Sequence, residues 1–268
     1  MVSFPPCKIN LGLNILSRRP DGFHDLETVF YPIPWTDVLE IIPSSKLSFQ
    51  SSGNIIPGRE EDNLCLRAYQ LLKDEFDIGP VQIHLHKIIP TGAGLGGGSA
   101  DAAYALRILN EIFELKLSVQ QLSSYASQLG SDCAFFIHDE PMHGSGRGEL
   151  LEKTEVNLKG KFLVLIHPGI HVATSLAFAG VTPRLPAHRL KESIQWPFEK
   201  WKQNVENDFE KSVFKSHPAI ADLKAQLYAM GAAYASMSGS GSSVFGIFES
   251  EIKLPASLRN MNHWSGFL

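Results

Sequence analysis

The feature that most constrains the fold is a glycine-rich run between a strand pattern and a helix pattern. Residues 90–103 read Pro-Thr-Gly-Ala-Gly-Leu-Gly-Gly-Gly-Ser-Ala-Asp-Ala-Ala, with five glycines before the predicted helix. Backbone N–H groups in such a run can close around a phosphate, and the dipole of the following helix favours the negative charge. The run therefore predicts an anion-binding loop, with an ordinary flexible connection as the alternative.

Two common phosphate loops do not fit this run. A P-loop needs Gly-Lys followed by Ser or Thr, and the chain contains no such triplet. The spacing of Gly92, Gly94 and Gly97 matches a Rossmann loop, which follows a continuously apolar parallel strand. Here the preceding segment, Val81–Ile89, alternates apolar and polar residues instead. We therefore expect a different nucleotide-binding fold.

Three polar residues beside the loop each have two possible roles. Asp101 suits the first helical turn but would repel a phosphate, so magnesium or distance separates them unless it faces solvent. Ser99 is either the N-cap of the helix or a ligand to the metal ion. Lys87 either reaches the nucleotide or is solvated.

Composition excludes several classes of protein. The 268 residues include 24 basic and 28 acidic side chains, and a net charge of -4 argues against a non-specific nucleic-acid binder. The chain has no apolar run near the 20 residues that a membrane helix needs, and no secretory signal. We expect a cytoplasmic protein with neither a nucleic-acid nor a membrane partner. The cysteines suggest neither a disulfide framework nor a zinc site and are expected to be reduced and semi-buried: Cys7, Cys65 and Cys133.

The remaining pattern predicts an α+β fold with two domains, residues 1–155 and 156–268. Periodicity predicts helices over Leu64–Phe76, Ala100–Phe113, Ser118–Leu129 and Ala219–Met230. It predicts strands over Cys7–Ile15, Leu26–Ile33, Asp37–Ile42, Val81–Ile89, Cys133–Ile137, Phe162–His167, Ala232–Ser238 and Val244–Phe248. The weakly patterned stretch from Glu251 is expected to be loosely held.

The glycine run and two other segments together resemble a known superfamily. Pro-Cys-Lys-Ile-Asn-Leu at 6–11, the glycine run and Met-Ser-Gly-Ser-Gly-Ser-Ser-Val-Phe at 237–245 are similar to the three motifs of the GHMP kinases, in order and spacing. Residues 18–28, Arg-Arg-Pro-Asp-Gly-Phe-His-Asp-Leu-Glu-Thr, resemble the signature of the 4-diphosphocytidyl-2-C-methyl-D-erythritol kinase family within them. The similarity covers most of the chain and weakens between about Gly169 and Lys202.

This resemblance implies both a fold and an activity. The fold would be the two-domain GHMP kinase fold, with an N-terminal domain like ribosomal protein S5 domain 2 and a ferredoxin-like C-terminal domain. The activity would be phosphorylation by ATP of the tertiary 2-hydroxyl of a cytidine-diphosphate-linked methylerythritol, a small-molecule substrate of non-mevalonate isoprenoid synthesis. The implied cofactors are ATP and Mg²⁺, the ion being held mainly by ATP, with Ser99 as its candidate protein ligand. We expect a monomer or a weak homodimer.

The resemblance also implies a role for particular residues. The catalytic pair would be Lys8 and Asp132, because a tertiary alcohol needs a base and a lysine keeps that carboxylate ionised. Residue type alone favours a surface lysine and a turn aspartate. The nucleotide would be bound by Lys87, Pro90, Thr91, Gly92, Ala93, Gly94, Leu95, Gly96, Gly97, Gly98 and Ser99. The substrate would be bound by Asn10, Phe23, His24, Gly239 and Gly241.

Some of the substrate residues have plainer alternatives. Phe23 stands where the family usually has tyrosine, so base stacking is kept and any hydroxyl contact is lost. Asn10 can instead satisfy a strand edge, and Gly239 and Gly241 can form a plain hairpin turn.

Three other functions compete with this hypothesis. A homoserine or mevalonate kinase shares the superfamily motifs, and the Asp-Gly-Phe-His signature at 21–24 argues against it. A nucleotide-binding regulatory module would not need both Lys8 and Asp132. A dehydrogenase would bind a nicotinamide cofactor.

Overall fold

The computed structural model describes all 268 residues. The strands are β1 (Val2–Ser3), β2 (Pro6–Arg18), β3 (His24–Thr36), β4 (Val38–Pro43), β5 (Ser48–Gly53), β6 (Val81–Lys87), β7 (Met142–Ser145), β8 (Leu150–Lys153), β9 (Phe162–His167), β10 (Tyr234–Met237), β11 (Val244–Phe248) and β12 (Asn262–Phe267). The helices are α1 (Leu64–Phe76), α2 (Gly97–Ile112), α3 (Val119–Leu129), α4 (Phe135–His138), α5 (Thr174–Ala179), α6 (Leu190–Ser193), α7 (Trp201–Asn204), α8 (Glu210–Ser216), α9 (Pro218–Ala229) and α10 (Ala256–Arg259). None of the helices is long and apolar enough to span a bilayer.

Contacts divide the chain into two compact units, and the first contains residues 1–8, 32–91 and 96–140. Its four-stranded sheet has the order β1-β4-β6-β5, in which β5 runs parallel to β6 and the other pairs are antiparallel. Helix α2 packs against α1, α3, α4 and β4. Its small buried residues, including Ala102, Ala103 and Ala105, allow that close packing on several sides.

Local sequence signals explain where the helices of this unit begin. Asn63 caps α1 by accepting a hydrogen bond from the Cys65 N–H, and Ser118 and Gln121 form a reciprocal capping box at α3. Helix α2 differs, because its N-cap is Gly96, with φ 70°, and no side chain caps it. The predicted N-cap role of Ser99 is therefore wrong, since α2 begins two residues earlier, at Gly97.

The second unit contains residues 9–31, 92–95 and 141–268. Its antiparallel sheet has the order β10-β11-β9-β12, and α9 packs on β10 and β11. The apolar face of α9 supplies Ile220, Leu223 and Leu227 to a core that also contains Val164 and Ile166 of β9. A further sheet, of order β2-β3-β7-β8, includes the β7–β8 hairpin. Its β2 and β3 each contribute residues to both units.

The predicted helices and most predicted strands are confirmed, with small differences in their ends. The predicted strand over Cys133–Ile137 is wrong, because these residues form a turn and α4. Phe135, Phe136 and Ile137 are all buried, and a short, fully apolar run has no period that separates a strand from a helix.

The expectation that the stretch from Glu251 is loosely held is also wrong. Residues 262–267 form β12, which pairs with β9 along its whole length. The Phe267 ring lies 5.2 Å from the Phe162 ring, so the strand is also held by side-chain packing. None of the residues of this edge strand is fully buried, so the sequence shows no alternation of apolar and polar residues there.

The three cysteines are free, as expected, but they are fully buried rather than semi-buried. Cys65 lies on α1 and Cys7 on β2, and burial raises the pKa of both thiols. The domain boundary near residue 155 stays a prediction, since the compact units interleave along the chain and are not two consecutive halves.

Candidate active site

Within the first unit, Lys8 and Asp132 form an ion pair. Lys8 Nζ lies 3.5 Å from Asp132 Oδ2, and the lysine side chain is only 4% exposed while the aspartate side chain is 34% exposed. The surface-lysine alternative for Lys8 is therefore wrong. The exposed carboxylate stays accessible to a ligand, and the buried ammonium lies behind it as a fixed positive charge.

The end of the glycine run lies against the two buried lysines of this unit, Lys8 and Lys87. A Cβ on Gly96 would lie 3.3 Å from Lys8 Cε and 3.0 Å from the Phe136 ring. A Cβ on Gly97 would lie 3.2 Å from Lys87 Nζ. These glycines thus allow the start of α2 to approach two ammonium groups, at the helix end that favours an anion.

Lys87 is enclosed by two carboxylates. Its Nζ lies 2.8 Å from Asp101 Oδ2 and also donates to Asp37 Oδ2, and all three residues are at most 4% exposed. The other oxygen of Asp37 accepts hydrogen bonds from the N–H groups of Ile88 and Ile89, at 2.6 and 2.8 Å. The solvated alternatives for Lys87 and Asp101 are therefore wrong, because both side chains face inward and neutralise each other.

The charges of this cluster do not balance. Burial raises the pKa of Asp101 to about 7, and the neighbouring lysine opposes that rise. Burial lowers the pKa of Lys87, but the two carboxylates outweigh this and the net change is upward. One ammonium beside two carboxylates leaves an excess negative charge, so the cluster retains a proton to higher pH than an exposed aspartate would.

A cavity of about 180 Å³ lies beside this cluster in the first unit. Lys87 and Asp101 line it together with Thr91 and Gly98 of the glycine run and the segment that precedes α1. It is smaller than most small-molecule pockets and suits one part of a larger ligand.

Within the second unit, three distant segments meet. Ser238 Oγ donates to Gly94 O at 2.9 Å and lies 3.4 Å from Asn10 Oδ1. The Ser243 N–H donates to Ala93 O at 3.1 Å. A Cβ on Gly94 would lie 2.1 Å from Ser238 O, so only glycine allows this contact. The structure thus brings together Asn10, part of the glycine run and the C-terminal turn.

Asn10 is buried and well oriented. Its Nδ2 donates to Thr28 Oγ1 at 2.9 Å, and that hydroxyl donates to Gly12 O at 2.7 Å. The amide of Asn10 is therefore part of a chain of hydrogen bonds between β2 and β3. Gly239 lies next to it, since a Cβ there would be 3.4 Å from Asn10 Oδ1.

Two aromatic rings mark the signature at 18–28. The Phe23 side chain is 55% exposed, and the Arg147 guanidinium carbon lies 5.0 Å from its ring centre. The His24 ring stacks on Phe178 with a centroid distance of 5.0 Å and an interplanar angle of 21°. Phe178 and Arg147 were not found from the sequence. Phe178 lies on short helix α5, where the resemblance is weakest, and no periodic pattern marks it.

The site contains few groups that could ligate a metal ion. No group of three or more His, Cys, Asp or Glu side chains is close enough to hold one. Ser99 lies at the start of α2, where its hydroxyl hydrogen-bonds the Cys133 thiol, whose pKa burial raises to about 12. Its role as a metal ligand stays a prediction.

Comparisons with known proteins agree with this geometry. Family models match residues 63–140 as "GHMP kinases N terminal domain" and residues 190–263 as "GHMP kinases C terminal". A 4-diphosphocytidyl-2-C-methyl-D-erythritol kinase of Cytophaga hutchinsonii is 54% identical over 252 residues, 94% of this chain and 93% of its own. The enzyme of the same name from Bacteroides thetaiotaomicron is 52% identical over 259 residues, 95% of this chain and 94% of its own. The chain belongs to the 4-diphosphocytidyl-2-C-methyl-D-erythritol kinase family.

Solved structures extend the comparison to three dimensions. The crystal structure of a 4-(cytidine 5'-diphospho)-2C-methyl-D-erythritol kinase has a TM-score of 0.82 and 32% identity, covering 99% of this chain and 98% of its own. A homoserine kinase from Cytophaga hutchinsonii, 19% identical with a TM-score of 0.65, shares the fold over 93% of this chain and 85% of its own. The predicted GHMP kinase fold is therefore confirmed, and the chain is a member of a small-molecule kinase family that uses ATP.

The raised pKa of Asp101 predicts a pH-dependent stability. Because its pKa is about 7 in the folded protein against 3.8 ordinarily, the folded state binds more protons in this range. The contribution of Asp101 to the free energy of unfolding should therefore fall as pH rises from about 4 to about 7. Urea unfolding of the wild type and of Asp101→Asn across this range measures the difference between them. That difference should shrink with rising pH.

The exposed Asp77 provides the control, since Asp77→Asn should shift the unfolding free energy by a nearly constant amount over the same range. A difference between wild type and Asp101→Asn that does not change with pH would contradict the assignment.

Proposed function

We propose that the protein transfers the terminal phosphoryl group of ATP to the 2-hydroxyl of 4-diphosphocytidyl-2-C-methyl-D-erythritol. The products would be the 2-phosphate and ADP, in non-mevalonate synthesis of isoprenoid precursors. Relatives named for this kinase match over more than nine-tenths of the chain, which supports the substrate. The observation that carries the chemistry is the ion pair between buried Lys8 and accessible Asp132.

Asp132 acts as the general base in this proposal. A tertiary alcohol is a weak nucleophile, and a carboxylate within hydrogen-bond reach takes its proton as the new bond to phosphorus forms. Lys8, 3.5 Å away, pairs with that carboxylate and stabilises negative charge that develops at the reacting oxygens. The transfer is direct and in-line, so no covalent enzyme intermediate is needed.

The residues present fit ATP and its magnesium ion. Bound Mg²⁺-ATP supplies the phosphoryl group and neutralises part of its charge. The run from Pro90 to Ser99 would hold the phosphates through backbone N–H groups. Gly92, Gly94 and Gly96 have φ values of 68°, 78° and 70°, a left-handed backbone conformation that glycine adopts without strain. Lys87 lines the adjoining cavity and would contact the nucleotide there. Because no three His, Cys, Asp or Glu side chains are grouped closely enough to hold a metal ion, ligation of magnesium would fall mainly to the phosphates, with Ser99 as the protein ligand.

The acceptor would bind to the residues that the second unit brings together. Phe23 offers an exposed ring face for the cytosine, and His24, held by Phe178, offers ring nitrogens for its polar edge. Asn10 and the turn at Gly239 and Gly241 would contact the rest of the substrate. We also expect a cytoplasmic location and a monomer or weak homodimer, both of which stay predictions.

The first test is the release of ADP from Mg²⁺-ATP by the purified protein. The diphosphocytidyl substrate should support turnover, whereas homoserine, mevalonate and galactose should not. Turnover with one of the other alcohols would support the kinase assignment but contradict the assignment of Phe23 and His24 to a cytosine site. No turnover with any alcohol, together with ATP binding, would favour a regulatory module instead.

Asp132→Asn should lower kcat by about two to four orders of magnitude, the range for losing a general base. The amide keeps the shape of the side chain and cannot accept the proton, so the KM of the acceptor should change little. Steady-state kinetics measure both constants, with Asp77→Asn at an exposed site as the control. An unchanged kcat would rule out the assigned role.

Phe23→Ala should weaken binding of the cytidine substrate by about 1 to 3 kcal/mol, the range for one base-aromatic stack. Phe4 is a matched control, because it is 58% exposed against 55% for Phe23. Isothermal titration of each variant with substrate and with ATP measures the change. A loss of ATP affinity alone would place the nucleotide, not the cytosine, at Phe23.

A further inference from the structure

Asn207 lies in the connection between α7 and α8, at a point where that connection meets β2. It forms an isolated parallel bridge with Leu13. The Leu13 N–H donates to Glu206 O and the Asp208 N–H donates to Leu13 O, both at 2.8 Å. Asn207 is thus held from both sides by the backbone of β2, and it is only 3% exposed.

The side chain of Asn207 is fully used by hydrogen bonds. Its Nδ2 donates to Met237 O at 2.8 Å and to Gly239 O at 2.9 Å, while its Oδ1 accepts from the Phe209 N–H at 3.0 Å. A primary amide has two donor hydrogens, and both go to carbonyls that flank Ser238. Asn207 therefore determines where the first half of the C-terminal turn lies.

This contact also orients one particular N–H group. The Gly239–Ser240 peptide bond is trans, so its C=O and N–H point in opposite directions. Because Gly239 O points at Asn207, the Ser240 N–H points away from it. The backbone hydrogen bonds inside the turn run from Gly241 N to Ser238 O and from Ser238 N to Ser243 O, and neither uses the Ser240 N–H.

We propose that Asn207 is a positioning residue for phosphoryl transfer, which holds the Gly239–Ser240 peptide so that the Ser240 N–H binds an anionic phosphate oxygen of the acceptor. The inference rests on the proposed function. Ser240 is partly exposed, whereas Asn207 is buried behind the turn, so Asn207 acts through the backbone and does not touch the substrate. A backbone donor fixed in advance stabilises phosphate charge without reorganising when the substrate arrives.

The decisive variant is Asn207→Asp, which keeps the shape and Oδ1 but replaces the double donor by an acceptor that repels both carbonyls. We expect kcat/KM for the diphosphocytidyl acceptor to fall by about 10- to 1,000-fold, the scale for a lost backbone-type donor. The KM for Mg²⁺-ATP should change less than this, since Asn207 hydrogen-bonds the turn and Phe209 and reaches the glycine run only indirectly, through Ser238.

Asn204 supplies the matched control. It is also an asparagine whose Nδ2 donates to a backbone carbonyl, that of Lys200 at 2.8 Å, but it does not contact the turn. Asn204→Asp should leave kcat/KM within about twofold. Amide hydrogen exchange adds a readout that does not depend on activity. Exchange over residues 237–243 should quicken in Asn207→Asp and stay unchanged in Asn204→Asp.

A second variant, Asn207→Ser, guards against a folding defect, because a hydroxyl can still donate to one carbonyl. It should melt cooperatively and show an intermediate loss of kcat/KM. Turnover in Asn207→Asp within twofold of wild type, unchanged exchange in the turn, or unfolding of both variants would each overturn the inference. Failure of the wild type to phosphorylate this acceptor would instead overturn the proposed function, and the exchange experiment would still test the contact.

Discussion

The contact between Gly94 and the C-terminal turn is the constraint on which the substrate side of the site depends. Ser238 and Gly94 are 144 residues apart in sequence, yet Ser238 Oγ bonds Gly94 O and a Cβ on Gly94 would lie 2.1 Å from Ser238 O. Backbone approaches backbone so closely that no side chain fits between them. The same serine reaches Asn10, so one contact connects all three motifs of the GHMP kinases.

Both buried lysines of the first unit are paired with carboxylates, and the exposure of those carboxylates distinguishes the two pairs. Lys87 and its partners Asp37 and Asp101 are almost completely buried, and their ion pairs connect the end of β6 to α2 and to the residue before β4. The partner of Lys8 is one-third exposed, which leaves its carboxylate oxygens accessible. Only the pair with an accessible carboxylate is placed to meet a substrate, as the proposed general base must be. Residue type alone would not have distinguished the two lysine–carboxylate pairs.

Predictions from the sequence were most accurate where they depended on local signals. The capping box at Ser118 and Gln121, the ends of α1 and the alternation in β6 depend on neighbours within a few residues. Predictions failed where a distant partner decides the outcome. Asp37, 50 residues before Lys87, decides against the solvated alternative for that lysine, because it pairs with it in the interior. Helix α2 begins earlier than predicted, because Gly96 and not Ser99 is its N-cap.

By itself the sequence determined the periodic helices and strands and, through its ordered motifs, the kinase family. Glycine content, alternation and capping residues encode these because each acts through the backbone of adjacent residues. Only the tertiary structure decided that Phe178 stacks on His24, that Arg147 covers Phe23 and that Asn207 holds the turn. Those contacts join segments that are far apart in the chain. Contacts between distant side chains follow from how the helices and strands pack, and the local periodicity of the sequence does not predict them.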